Sequence, residues 1–171
     1  MRLLIDGWEI RSFRPDDVTT LVRYANNRNV SIQLRDRFPF PYTAGHATAW
    51  LDRVAKEEPA VDFAIASAME LIGGIGLEPQ QDIHRQSAEI GYWLGEPYWG
   101  QGIATRAVVA FTRWAFAELD LIRICATVFE SNPASARVLE KAGYSREGRL
   151  LRSVTKDGRI MDSWLYAAVR P

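Results

Sequence analysis

The sequence predicts an α+β fold (α/β mixed) of six or seven strands and about four helices. Three observations lead there. Short stretches of alternating apolar and polar residues recur along the chain, the period of half-buried strands. Runs with apolar residues at helical spacing lie between them, as in helices that pack one face on a core. Two pairs of strands read as hairpins, and a strand, a glycine loop and a helix occupy the centre of the chain.

Residues 8–13, Trp8-Glu9-Ile10-Arg11-Ser12-Phe13, alternate as a half-buried strand should. Arg14-Pro15-Asp16-Asp17 breaks that strand and caps a helix over 17–27 with Val18, Leu21, Val22 and Ala25 on one face. Arg37-Phe38-Pro39-Phe40-Pro41-Tyr42-Thr43 reads as a rigid extended segment, and a helix over 44–57 follows with Thr43 placed to cap it. Residues 61–68 and 71–77 pair as a hairpin, the second strand marked by Gly73, Gly74 and Gly76, and residues 87–94 form a further strand. Gly95 to Gly102 is a turn-rich loop ahead of an amphipathic helix from Ile103 to Leu119, whose inward face carries Ile103, Ala107, Phe111, Trp114, Ala115 and Leu119. A strand at 122–129 leads to a short helix over 133–142, with Asn132 as N-cap, Pro133 at its first position and Gly143 just past its end. Strands at 144–155 and 159–169 close the chain around Asp157-Gly158.

The 171 residues suit one unit with a sizeable core, and no internal repeat or low-complexity segment divides them. Lys and Arg number 21 against 21 Asp and Glu, so no global field favours nucleic acid or an acidic membrane, and recognition of any partner is local. Only Lys56, Lys141 and Lys156 are lysines; the remaining cations are arginines, whose planar fork suits phosphate and carboxylate. Cys125 is the one cysteine and sits in the apolar run from Leu121 to Ala126. It reads as a core thiol rather than a nucleophile, which needs an electropositive, partly open setting. Asp6 interrupts the N-terminal apolar stretch before a signal-peptide core forms, and no run approaches a membrane span, so a cytoplasmic location with no membrane partner is expected. His46 and His84 have no matching ligand pattern, and no metal site is expected.

Gly100 and Gly102 immediately precede a helix, whose first N–H groups lack backbone partners and carry partial positive charge. A dinucleotide fingerprint fails at Thr105, where glycine or alanine is required, and the Gly-Lys-Ser/Thr of a P-loop is absent. What remains is a simple tight turn or a phosphate-binding loop. Around it, Glu89-Ile90-Gly91-Tyr92-Trp93-Leu94 and Tyr98-Trp99-Gly100-Gln101-Gly102-Ile103-Ala104-Thr105 stand in order with Arg14-Pro15-Asp16-Asp17 and Phe40-Pro41-Tyr42-Thr43 before them. Asn132-Pro133-Ala134-Ser135, Glu140-Lys141-Ala142-Gly143-Tyr144, Glu147-Gly148-Arg149, Asp157-Gly158-Arg159 and Asp162 follow. This succession resembles the GNAT superfamily of N-acetyltransferases. More narrowly, it is similar to the RimJ/RimL-like branch that acetylates N-terminal amines of ribosomal proteins.

The resemblance covers nearly the whole chain and implies a single N-acetyltransferase domain over residues 1–171, with a GNAT-like, mostly antiparallel mixed sheet of six or seven strands, splayed in the middle and flanked by about four helices. Acetyl-CoA, as cosubstrate, is implied to lie between the strands at 87–94 and 122–129. Backbone N–H groups from Gly100 through Gln101, Gly102, Ile103 and Ala104 to Thr105 are implied to cradle its pyrophosphate, and the backbone near Trp93 and Leu94 to pair with pantetheine as an added strand would. The wider family has Gln or Arg three residues before the second glycine; Trp99 stands there, and is read as packing against the loop. The family's usual acid, a tyrosine seven residues after the asparagine of the short helix, is replaced by Leu139. The resemblance implies Ser135 as its substitute, able to hydrogen-bond the sulfur, and Asn132 as a residue that holds either pantetheine or the helix start.

Glu89 is the candidate base, because alternation sets it with Gly91 and Trp93 on one face of a strand lining the implied cleft. The competing reading is an edge-exposed or structurally paired glutamate. Phe38, Phe40 and Tyr42 either wall the acceptor cleft or pack the second helix. The function expected is acetyl transfer from acetyl-CoA to a primary amine, with a protein N-terminal α-amine first. A small-molecule amine such as an aminoglycoside, or a silent acyl-CoA-binding regulator, stands as the alternative. Monomer and homodimer both stay open. Residues 61–100 hold one cation and six anions, residues 101–171 eleven cations and seven anions. The neutral total therefore permits a local anion site beside Arg106 and Arg137, with acidic residues nearer a cationic amine.

Overall fold

The computed structural model describes Met1–Pro171, and its first element is one that alternation did not reveal. Strand β1 (Arg2–Ile5) folds back on β2 (Trp8–Arg11) through Asp6-Gly7. Both turn residues have positive φ, 43° and 82°, the geometry of a two-residue hairpin turn in which Asp-Gly is favoured. The helix over 17–27 is shorter than expected, and a second helix follows it. A short 3₁₀ turn leads into α1 (Val18–Ala25), and Asn27 restarts the chain as α2 (Arg28–Ser31) by accepting a hydrogen bond from the Asn29 amide at 2.8 Å. The helix α3 (Ala44–Val54) begins at Thr43, whose hydroxyl accepts from the His46 amide while His46 accepts from the Thr43 amide. Then follow β3 (Asp62–Ala66), β4 (Leu71–Pro79), β5 (Ser87–Leu94), α4 (Ile103–Glu118), β6 (Arg123–Phe129), α5 (Pro133–Lys141), β7 (Ser145–Lys156) and β8 (Arg159–Val169).

The Arg-Pro-Asp-Asp segment has a packing role. Asp17 is buried and accepts two hydrogen bonds from the Arg11 guanidinium, at 2.7 and 2.8 Å, and one from the Arg14 amide. Strand β2 is thereby tied to the start of α1 by a fork-on-carboxylate pair, and loss of either partner would strand the other charge in the interior.

All eight strands join one sheet in the order β1-β2-β3-β4-β5-β6-β8-β7, one strand more than expected, with β1 the addition. Neighbours are antiparallel except β5 and β6. That parallel pair makes register only at Ser87 with Arg123, Ala88 with Ile124 and Glu89 with Cys125. Beyond it, β5 continues against β4 to Leu94 and β6 against β8 to Phe129, so the sheet splays from Glu89 onward. The main core lies on the face that carries Ala88, Ile90 and Leu94, beneath Ile103, Ala107, Phe111 and Leu139 of α4 and α5. A smaller cluster, Leu21, Ala25, Tyr42, Ala47, Ala64 and Leu71, with Phe38 and Trp93 at its edge, fills the opposite face under α1 and α3. No helix is long and apolar enough to cross a membrane.

Candidate active site

The mouth of the splay is set by β5. The Gly95 amide donates to the Ile72 carbonyl at 2.8 Å, and with Trp93 opposite Gly74 in the antiparallel register this turns the backbone of Trp93 toward β4. The groups that face the gap are therefore those of Tyr92 and Leu94, one residue to either side, which corrects the expectation for the Trp93 backbone. Trp93 instead contributes its indole, edge-on to Phe38 with centroids 5.4 Å apart. The Leu94 carbonyl accepts a hydrogen bond from Trp99 Nε1 at 2.8 Å. Trp99 thus fastens the glycine loop to the end of β5, and the Leu94 carbonyl is already engaged.

The loop is built to expose its amides. Gly100 and Gly102 have φ of 74° and 73°, in the left-handed region that a side chain disfavours. Gly102 caps α4 with no side-chain hydrogen bond. No backbone carbonyl accepts from the amide of Gly100, Gln101, Gly102, Ile103, Ala104 or Thr105. The loop's oxygens are occupied instead: Gln101 Nε2 donates to the Pro97 carbonyl at 3.0 Å and Arg106 Nη2 to the Gln101 carbonyl at 3.2 Å. Six consecutive N–H groups without a backbone acceptor, at the positive end of a sixteen-residue helix, are suited to an anion.

Ser135 lies in the first turn of α5, where its amide donates to Asn132 Oδ1 at 3.1 Å. Asn132 thus spends its oxygen on the helix start. The Ser135 hydroxyl sits 2.8 Å from the Tyr92 hydroxyl. Burial pushes the Tyr92 phenol well above its ordinary range, so it stays protonated. Where the family's tyrosine is replaced by Leu139, which is buried in the core, a tyrosine from β5 brings its hydroxyl beside Ser135. Sequence reasoning passed over Tyr92 because it alternates with Glu89 onto the apolar face.

Glu89 stands at the vertex of the splay, on the opposite face from Tyr92. Its Oε2 is 2.6 Å from Arg35 Nη2, and it is opposite Glu78 on β4 and Cys125 on β6. Cys125 is buried, and desolvation with the nearby Glu89 carboxylate pushes its thiol up, as a core thiol rather than a nucleophile. On this face a recess of about 370 Å³ opens between α2, the segment through Phe38 and Phe40, and the β7–β8 turn. Lys156, 6% exposed, enters it and pairs with Asp36 at 2.7 Å. Phe38 and Tyr42, 5.2 Å apart, belong to the α3 packing, and Phe40 is exposed at the recess. Neither Arg35 nor Lys156 carries a local sequence signal, since each acquires its role only when distant segments meet.

A family profile described as an acetyltransferase (GNAT) domain matches residues 8–145. Among curated relatives, the uncharacterized N-acetyltransferase YoaA of Bacillus subtilis is 38% identical over 102 residues, 60% of this chain and 57% of that protein. The ribosomal-protein-serine acetyltransferase of Escherichia coli is 33% identical over 107 residues, 63% of this chain and 59% of that protein. Among solved structures, RimL, a ribosomal L7/L12 α-N-protein acetyltransferase in complex with coenzyme A, superposes with a TM-score of 0.85 at 21% identity, covering 99% of this chain and 98% of that one.

Proposed function

The chain belongs to the GNAT acetyltransferase family, and from that premise we propose that it is an acetyl-CoA-dependent acyltransferase acting on a primary amine, with a protein N-terminal α-amine as acceptor. The observation that carries the reading is the splay itself: β5 and β6 part at Glu89, and six free amides stand beyond the far end of β5. A long thioester cosubstrate fits such a gap, its phosphates on the loop and its extended arm beside Tyr92 and Leu94, in the manner of an added strand.

In the proposed reaction the acceptor nitrogen attacks the thioester carbonyl, a C–N bond forms and the C–S bond breaks. The proton lost by nitrogen passes to Glu89, directly or through water, and coenzyme A leaves as a thiolate that takes a hydrogen bond from Ser135. An α-amine, with an ordinary pKa of about 7.7–8.0, is partly neutral near pH 7, whereas holding a lysine amine of about 10.4 neutral costs roughly 4–5 kcal/mol. One carboxylate therefore suffices for an α-amine. The ribosomal-protein-serine relative supports a protein acceptor. Such an acceptor places the enzyme in the cytoplasm.

The test is to follow free thiol while the protein is incubated with acetyl-CoA and a panel of amines. The panel includes peptides with free alanine or serine N-termini, the same peptides N-capped, and small-molecule amines including aminoglycosides. Turnover confined to uncapped peptides and lost in Glu89→Gln is the expected result. Turnover confined to small amines would reassign the acceptor. Binding of acetyl-CoA with no acceptor-dependent thiol release would make the protein an acyl-CoA-binding regulator.

A further inference from the structure

Glu78 and Glu89 are directly opposite one another on β4 and β5, so their side chains leave the sheet on the same face, with Cβ atoms about 5 Å apart. Like charges so placed repel. Arg35, from the loop after α2, bridges them: Nη1 reaches Glu78 at 3.0 Å and Nη2 reaches Glu89 at 2.6 Å. Arg37 closes on Glu78 from the outside at 2.9 Å. The contact with Glu89 is the leading cause that strengthens the hold of Arg35 on its proton. The shortest contact uses Oε2 of Glu89, and no hydrogen bond from the chain reaches Oε1.

We propose that Arg35 is a positioning residue for acetyl transfer, holding the Glu89 side chain in place beside Glu78 and turned so that Oε1 faces the acceptor. This rests on the reading of Glu89 as the base. The other groups facing Glu89 do not replace Arg35. Cys125, opposite it on β6, is kept neutral by burial. Arg123, two residues before Cys125, is paired with Glu147 of β7 at 2.8 Å. Arg37 reaches only Glu78. Arg35 is thus the single cation in contact with Glu89, and it arrives on the same chain segment that sends the adjacent Asp36 to Lys156. The wall of the recess and the orientation of the base are set by two consecutive residues.

The experiment is steady-state kinetics by thiol release, with acetyl-CoA and acceptor varied separately, on the intact protein and on Arg35→Lys, Arg35→Gln and the double variant Arg35→Gln, Glu78→Gln. Arg35→Gln is expected to lower kcat roughly 10- to 100-fold while the KM of acetyl-CoA is unchanged. Arg35→Lys recovers part of the loss, and so does the double variant, which removes the carboxylate that repels Glu89. An unchanged kcat in Arg35→Gln, or a loss that neither Arg35→Lys nor the double variant relieves, overturns the assignment of Arg35 while the base reading stands. Full turnover by Glu89→Gln refutes the base reading, and with it any role of Arg35 in the reaction.

Discussion

The hydroxyls of Tyr92 and Ser135 lie 2.8 Å apart, joining β5 to α5 at the point where the sheet has already parted. The Ser135 carbonyl is also within 3.3 Å of the phenol, so the two residues act as one polar unit in an otherwise apolar wall. On the proposed reading Ser135→Ala lowers kcat roughly 10- to 100-fold. Tyr92→Phe lowers it less and reduces stability by about 0.5–1.5 kcal/mol. Because the hydroxyls work as a pair, the double variant falls no further than Ser135→Ala. Steady-state kinetics on the three variants checks this, and additive losses would separate the two roles.

The loop amides depend on left-handed backbone at Gly102. Alanine there meets two obstacles: a φ of 73° and a Cβ only 3.2 Å from Arg106 Nη1. The strain is of the order of 1–2 kcal/mol, and relief would rotate the free N–H groups away from one another. The expected result for Gly102→Ala is a smaller thermal stabilisation by acetyl-CoA than the unaltered protein shows, with Kd raised about tenfold or more. A titration with acetyl-CoA that gives the same Kd would dissociate the loop from binding.

Two glycines on the adjacent strands contrast sharply. A Cβ on Gly73 would lie 2.2 Å from the Trp93 carbonyl oxygen and 3.0 Å from the Leu94 Cα, backbone atoms that cannot move aside. Gly91 has open space and lies between Glu89 and Trp93 on one face. Gly73→Ala therefore destabilises by about 1–3 kcal/mol, measured by denaturant unfolding. Gly91→Val leaves stability nearly unchanged but, on the proposed reading, raises the KM of the acceptor and not that of acetyl-CoA, since it crowds the face that carries Glu89.

Asp62 supplies a pH signature away from the reaction. Desolvation, opposed by the hydrogen bond from Arg53 and reinforced by Glu57, raises its carboxyl from 3.8 to about 6. The folded protein thus binds more protons than the unfolded chain between those values. The stabilisation from protonated Asp62 is fully present below about pH 4 and is lost as pH rises through about 6. Relative to the unaltered protein, Asp62→Asn should gain of the order of 1–2 kcal/mol between pH 4 and pH 7. Chemical denaturation at the two pH values gives this difference, and a constant difference would refute it.

The strand from Ser87 to Leu94 was legible because its alternation is clean, and the helix caps at Thr43 and Asn132 because their chemistry is local. Strand β1 was not, since Leu3-Leu4-Ile5 reads as one apolar run although Leu4 is 75% exposed. The Asp6-Gly7 turn was the available clue, the same dipeptide that marked the β7–β8 turn. Within the site, the free amides followed from two glycines and a helix. The ion pair of Glu89 with Arg35 did not, because it spans 54 positions and depends on how the loop after α2 lies across the sheet. The alternation could place Glu89 on a face but could not show what else reached it.

Only three residue pairs join β5 to β6, yet everything N-terminal in the sheet is on one side of that seam and everything C-terminal on the other. The sheet is two half-sheets sharing a short hinge of backbone bonds. An extended ligand arm seated in the gap would supply rungs between them, making the cosubstrate a structural strap as well as a reactant. Amides at both margins, on β5 and β6 alike, would then exchange more slowly together once it binds, and protection would cross the seam as a single cooperative unit.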